Sequence, residues 1–582
     1  LFLNNSNGTL DNIDVVGNYG NGIMCHYSQA VTITNCNING NGSSNLGEGG
    51  GIYLVGSDPI ISSTLITGNA AQRGGGIQCQ TGSDALIVNC VIADNIAYEY
   101  ASGIGCVAHS KPYVENSIVW NEGLSDVAYG DWGGDNEITF NYSILHNGQS
   151  GIETNNFGDI NWGTGNLTVD PLFTDAVNGD YTLLAGSPAI DVGNPNAFYN
   201  DEDGSRNDMG YTGGNGIVLS ATEFEFGYVG VGDSRNKTLT ITNTKDSDIS
   251  VSGASFDDSQ FSTSTSFPVT VAAYSAADIT LTFTPTATGA QSGTLQLSSP
   301  DIPGDATYGE FVLSGNAFDL SDGVVQVPGE VPTIQEAIDA SSDGDTVLVA
   351  AGTYYENIEI DKEIAVIGAD RETTIIDGDS SGSVVYFGSN AGIDTYFSGF
   401  TVQNGSGMYD YHIDGYSGGG IFVGEHSAPL LDNLIVQDNT AEKRGAGINK
   451  QTGGTLRLAN SIIRNNNAGE NGGGIQGDGG GLGSFISNVE IYGNYANYMT
   501  GGIHLSDAPI IVNSIIRDNR SEEEASAIYA HNMFMSNCVV SQNGSDETSD
   551  YCTIKADGNS VIQNSIVWGN NSENFDIEMS NE

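Results

Sequence analysis

The chain is short of positive charge. Of its 582 residues only 16 are lysine or arginine, against 72 aspartate or glutamate, for a formal net charge of -56. A nucleic-acid binder needs a basic footprint to neutralise phosphates, so this balance excludes that class. It also argues against docking on anionic lipid. No run of 18 apolar residues occurs, so no membrane-spanning helix is expected. Cysteine is sparse and odd in number, seven in all, with no CxxC pair and no Cys/His spacing of the zinc type. No window offers a long apolar stripe at helical period. The composition suits a secreted protein in a salty or calcium-containing medium, where bound cations screen the self-repulsion.

Glycine is abundant, with 80 residues, and much of it is periodic. In the C-terminal half Ile421, Ile448, Ile475, Ile503 and Ile528 recur at steps of 27, 27, 28 and 25 residues. Small residues precede them, as in Gly418-Gly419-Gly420 and Gly472-Gly473-Gly474. A marker asparagine follows about twelve residues later: Asn433, Asn460, Asn488, Asn513, Asn537 and Asn564. Ile23, Ile52, Ile77 and Ile104 repeat the theme near the N-terminus. A fixed period of this size means a solenoid, in which each repeat buries its apolar face only by stacking on its neighbours.

Within a repeat the apolar residues alternate, as in Val489-Glu490-Ile491, which is a strand signal. The expected coil is a parallel β-helix. Counted from the marker, positions +1 and +3 point inward and +2 and +4 outward, because Glu490 at +2 would not be buried alone. The asparagines are read as a hydrogen-bonded turn ladder and not as ligands. Cys25, Cys79, Cys106, Cys36, Cys90 and Cys538 fall at inward positions, where a thiol acts as a small hydrophobe. For stacked Cys79 and Cys106 a disulfide stays open as an alternative in an oxidising compartment.

The expected organisation is a first coil over 1–169, a tail or linker over 170–216, a β-sandwich over 217–318 and a second coil over 319–582. The chain opens inside a repeat at Leu1 and stops at Glu582 soon after a rung, so a fragment of a longer protein is expected. Asp170-Pro171-Leu172-Phe173 and Gly186-Ser187-Pro188-Ala189-Ile190-Asp191 resemble the tail that ends the coil in many bacterial surface proteins. Phe226-Gly227-Tyr228-Val229, Phe283-Thr284-Pro285 and Leu313-Ser314-Gly315 resemble hydin-like immunoglobulin domains, which implies a spacer or interaction module. Val331-Pro332-Thr333-Ile334-Gln335-Glu336-Ala337-Ile338 resembles the start of pectin-lyase-like right-handed β-helices, with a short helix plugging the coil. The fold expected is thus all-β, two right-handed parallel β-helices flanking an immunoglobulin-like sandwich.

Pectin-lyase-like folds host lyases, hydrolases, esterases and non-enzymes, so the fold alone decides nothing about reaction. Ten of the 16 basic residues lie in the second coil, seven of them between Lys443 and Arg520. The outward +4 ladder reads Gln437, Arg464, Tyr492, Arg517, Ser541, Trp568. A ring between two guanidinium forks suits an acidic sugar chain; solvated strand positions paired to acids are the plain alternative. Arg464, Tyr492, Arg517, Trp568 and Lys450 are the candidate carbohydrate-binding residues, and Asp201, Asp203 and Asp208 the candidate calcium ligands. Catalytic residues cannot be named: Asp438 and Asp518 lie three rungs apart, roughly 14 Å, too far for a glycosidase pair. His412, His426, His504 and His531 share no ladder position, and His504 reads as a surface residue. The expected function is that of a monomeric bacterial extracellular or cell-surface protein that binds polysaccharide or a cell-surface glycan, or mediates adhesion. The alternative is a polysaccharide lyase, less readily a hydrolase, acting on acidic polysaccharide.

Overall fold

The protein is described from a computed structural model, which describes residues 1–45, 47–130, 136–303, 308–410, 413, 415–480, 483–523, 525–544, 552–570 and 575–580. Strands take up 47% of the chain and helices 3%, so packing rests mainly on sheets. Each repeat contributes three strands. The first follows the glycine triplet, the second precedes the marker asparagine and the third follows it. In the second coil they stack into parallel sheets of nine, ten and nine strands, and in the first coil into sheets of seven, seven and six.

The repeat isoleucines stack directly: Ile421 pairs with Ile448, then Ile475, Ile503 and Ile528. All five are fully buried, as are Val436, Ile463, Ile491, Ile516 and Val540 at the +3 position. The expected register therefore holds. The marker asparagines turn the chain at positive φ, from 50° at Asn460 to 57° at Asn537, a conformation asparagine tolerates better than most residues. Asn488 donates to Asn460 at 2.7 Å across one rung. Gly445 and Gly472 also have positive φ, and a Cβ on either would strike the side chain four residues on, Asn449 or Gln476, at 2.8 Å. The glycine turn thus folds flat onto the outer side of the first sheet.

A second asparagine ladder lies inside the coil, six residues beyond the marker. Asn439, Asn466, Asn494, Asn519 and Asn543 are each fully buried or nearly so. Each side-chain amide donates to the next asparagine at 2.9–3.1 Å. The first coil repeats this with Asn41, Asn69, Asn95 and Asn121, which ends on Asp126. Burial pushes the Asp126 carboxyl up to about 6.

The helix Ile334–Ala340 is N-capped by Thr333: Glu336 N donates to Thr333 Oγ1 at 3.2 Å, and Thr333 Oγ1 donates to Glu336 Oε2 at 2.8 Å. Its Ile334, Ala337 and Ile338 join the core of the second coil. The segment between the coils holds two antiparallel four-stranded sheets, with Phe226, Phe261 and Phe283 packed at 4.9–5.7 Å between ring centroids.

The chain divides into two compact units, one of Leu1–Phe226, Ser234–Thr284 and Ala290–Gly315, the other of Gly227–Asp233, Pro285–Gly289 and Asn316–Glu582. Most of the sandwich thus groups with the first coil. The tail makes this connection: Asn196 Nδ2 donates to Glu310 O at 2.6 Å and Tyr199 Oη to Leu219 O at 3.4 Å. The tail also lies along the flank of the first coil, where Tyr181, Ala189 and Met209 cover Val91, Ile118 and Ile144. All seven cysteines are buried and free. Cys79 and Cys106 stack in register as thiols, and burial pushes Cys25 and Cys90 up to about 12.

Candidate functional site

The structure brings Arg464, Tyr492 and Arg517 together on adjacent rungs, but their polar groups are engaged with one another and with neighbours. Arg464 donates to Gln437 Oε1 at 2.6–2.8 Å and to Tyr492 Oη at 3.0 Å. Arg517 donates to Glu490 at 2.7–2.9 Å and to Asp518 at 2.7 Å. Its guanidinium lies 4.0 Å from the centroid of the Tyr492 ring, over one face of it. An anionic chain would have to displace two carboxylates from Arg517. Trp568 is well exposed but stands two rungs further on, beyond Ser541.

Lys450 is not a surface residue. It sits two positions after Ile448, an inward place, and its side chain is buried inside the coil. Its ammonium pairs with Asp507 at 3.0 Å and reaches Gly480 O at 3.3 Å. The buried pair is permitted because each charge meets its opposite and Ser484 Oγ donates to Asp507 at 2.7 Å. Lys450 therefore cannot contact a glycan on the outside.

The acidic turn does not assemble a calcium cage. Asp201 accepts from the Asp208 and Gly214 amides, Asp203 from Ser205, and Asp208 from the Asp191 amide. These carboxylates shape the turn, and burial pushes Asp201 up to about 6. Among the described residues no three His, Cys, Asp or Glu side chains group to hold a metal.

The place with unspent polarity is the outer side of the first sheet in the second coil. There Phe422, Asn449, Gln476, His504, Tyr529 and Lys555 form an outward ladder, one per rung. The glycine turns fold over it, so Asn449, Gln476 and His504 are buried although they point out of the coil. His504 is only 8% exposed, against the surface position expected. His426 is exposed, and His412 lies outside the described residues. Buried polar atoms normally find partners. Among the described residues fourteen do not, and six of these cluster here: Ser417 Oγ, Arg444 Nε, Asn471 Oδ1, Gln476 Oε1, Thr500 Oγ1 and His504 Nδ1.

Burial lowers His504 to about 4, with the charges of Arg444 and Lys555 pushing the same way. Its ring is therefore neutral at physiological pH, and it packs edge-on against Tyr529 at 4.6 Å. Arg444 is loosely held, 3.7 Å from Glu470 and 3.6 Å from Asp478. The first coil also leaves Gln78 Oε1 and Glu48 Oε2 unpartnered at the matching turn, but it holds its arginine differently. Gln72-Arg73-Gly74-Gly75-Gly76-Ile77-Gln78-Cys79-Gln80-Thr81-Gly82 parallels Lys443-Arg444-Gly445-Ala446-Gly447-Ile448-Asn449-Lys450-Gln451-Thr452-Gly453. Yet Arg73 is saturated, bonded to Glu48 at 2.7 Å and Glu99 at 2.6 Å. The same motif holds its arginine to two acids at 2.6–2.7 Å in one coil and at 3.6–3.7 Å in the other.

The family model for the right handed beta helix region matches residues 1–143 and 398–566. That is more than half of the chain, and the chain belongs to the right-handed β-helix family. The ASH model (Abnormal spindle-like microcephaly-assoc'd, ASPM-SPD-2-Hydin) matches residues 217–303, in agreement with the hydin-like reading of the sandwich. No curated protein matches the chain. Among solved structures, the ASH / PapD-like domain 7 of human CEP192 is 16% identical over 18% of this chain and 86% of its own, with a TM-score of 0.14. The family 28 exopolygalacturonase of Yersinia enterocolitica is 9% identical over 59% of this chain and 96% of its own, with a TM-score of 0.15. The PL6 family alginate lyase AlyGC is 10% identical over 96% of this chain and 70% of its own, with a TM-score of 0.16. Scores this low carry no argument about the chemistry of this chain.

Proposed function

We propose that the protein is an extracellular or cell-surface binder of acidic polysaccharide, and that the outer side of the first sheet in the second coil is its binding face. The observation that carries this reading is Arg444, whose side chain is 28% exposed and is held by its own acids only at 3.6–3.7 Å, at the edge of a turn whose buried polar atoms lack partners. Its guanidinium meets a carboxylate of the polysaccharide. Gln476 and His504, buried beneath the glycine turns, support this edge from below and do not touch the polysaccharide. On a cell-surface glycan the same face would serve adhesion.

Calorimetric titration of the full chain with polygalacturonate and alginate tests this. Arg444→Ala should weaken binding about tenfold or more, and Gln476→Ala less. If Arg444→Ala binds as the parent does, the face is wrong.

A further inference from the structure

The first compact unit holds a trough far from the second-coil ladder in sequence and opposite to it in charge. Two cavities, of about 300 and 480 Å3, adjoin one another and share Tyr142, Asn194, Thr222 and Glu223 in their walls. The floor of the trough is the second sheet of the first coil, where Tyr113 and Asn141 point outward around the inward Val114 and Phe140. One wall is the tail at Asn194, and the other is the sandwich at Thr222 and Glu223.

The groove is held rigid. Asn194 Nδ2 donates to Glu115 at 2.6 Å, its backbone amide to Asn116 at 2.6 Å, and its Oδ1 accepts from the Asn196 amide at 2.9 Å. Asn141 Nδ2 donates to Tyr113 Oη at 2.7 Å, which leaves the phenol proton to be donated elsewhere. Such fixing lowers the entropy cost of binding. The lining has phenol rings, amides, a threonine hydroxyl and the carboxylates of Glu223 and Glu310, and among the described lining residues there is no lysine or arginine. Carboxylates only accept hydrogen bonds, so they select a ligand rich in hydroxyl donors and repel one that carries negative charge. Phenol rings offer flat apolar faces to sugar C–H groups.

We propose that this groove is a second saccharide site, for an uncharged oligosaccharide, distinct from the face offered to acidic chains. Thr222 and the Glu223 carboxylate take hydroxyls, Tyr113 donates to a ring or hydroxyl oxygen, and Tyr142, whose ring carries the Arg206 guanidinium at 5.8 Å, closes one side. Each cavity is of the size of a small-ligand cleft, so the run of two holds a short stretch of chain and not a long polymer in contact throughout.

Calorimetric titration of the full chain with cellohexaose, xylohexaose and mannohexaose, with hexagalacturonate as the charged counterpart, tests the groove. At least one neutral hexasaccharide should bind, and hexagalacturonate should not displace it. Glu223→Lys, at an exposed position, and Tyr113→Phe, which keeps the ring, should each weaken that binding about tenfold, the equivalent of one lost charge-assisted hydrogen bond. Arg444→Ala should leave it unchanged, which separates this site from the second-coil reading. The proposal is overturned if no neutral hexasaccharide binds, if hexagalacturonate competes for the same site, or if both groove variants bind as the parent does.

Discussion

Replacing Glu115 by glutamine should flatten the pH dependence of the first unit's stability. Glu115 is 2% exposed. Its two oxygens accept from Asn194 Nδ2 at 2.6 Å and Tyr199 Oη at 2.7 Å, and neither partner is a cation. Burial pushes its carboxyl from the ordinary 4.5 up to about 7, and the two hydrogen bonds pull it back only part of the way. Unfolded, the group ionises near 4.5; folded, it keeps its proton until about 7. Its contribution is complete below the lower value and is lost as pH rises through the upper one. That difference is worth about 3 kcal/mol. In a unit of about 300 residues, with an unfolding entropy of about 2.1 cal/mol/K per residue, it moves Tm by about 5 °C. Glutamine cannot ionise, and its amide N–H takes the place of the acid O–H that faces the Tyr199 hydroxyl, which can pass its own proton to Leu219 O. The variant should therefore melt close to the parent at about pH 4.5 and above it at about pH 8. Asp126 and Asp201, also raised to about 6 by burial, titrate in both proteins and cancel in the difference. Thermal melts followed by circular dichroism in half-unit pH steps measure this. Parallel curves for parent and variant across the window would refute the assignment of a protonated Glu115.

Lys450→Ala should destabilise the second coil by about 3–5 kcal/mol in urea unfolding, because it leaves Asp507 charged and alone inside the coil; Lys450→Met with Asp507→Asn should recover most of the loss, and a neutral single variant would mean the pair is not buried. Arg517→Ala should cost under about 1 kcal/mol of stability, since its partners are half-exposed. Arg464→Ala, Tyr492→Ala and Arg517→Ala should each weaken polysaccharide binding less than Arg444→Ala does, and the reverse order in titration would move the binding face to the third sheet. With a net charge of -56, millimolar calcium should raise Tm by mass action on the folded state; identical melts in calcium and in chelator would remove any role for the ion.

Most of the fold was legible because a coil has one local rule repeated many times. The isoleucine step fixes the rung, and the alternation around Asn460 or Asn488 fixes which side chains enter the core. The sandwich and the helix at Ile334–Ala340 were legible from their resemblance to hydin-like domains and to the start of pectin-lyase-like coils. The site was harder. The position two after the repeat isoleucine is inward, and Cys79 and Cys106 obey that rule; Lys450 obeys it too, although a lysine is ordinarily taken as exposed. Its partner Asp507 lies two rungs away, so only the folded stack shows why the charge is tolerated. His504 is outward by register yet buried, because direction from the sheet and exposure to water differ wherever a glycine turn folds over the strand. The inner asparagine ladder had a visible signal, a constant offset of six residues from the marker. The groove at Tyr113 and Glu223 had none, since it is closed by tail contacts that span many tens of residues.

That inner ladder makes the repeat a replaceable part. Each buried amide addresses only the rung before and the rung after, so excising one whole repeat splices donor to acceptor and leaves every surviving asparagine with the surroundings it had. Changing one asparagine, such as Asn494→Ala, instead strands two neighbours at once. A coil of this kind tolerates a change in its length better than a change in its spelling. In the first coil the amide line is punctuated before the strands are: Asp126 accepts the backbone and side-chain amides of Asn121 on a single oxygen and passes nothing on, while the sheets continue past it to Ile152–Glu153 and Gly158–Trp162. A carboxylate there is a full stop for the amides and not for the coil.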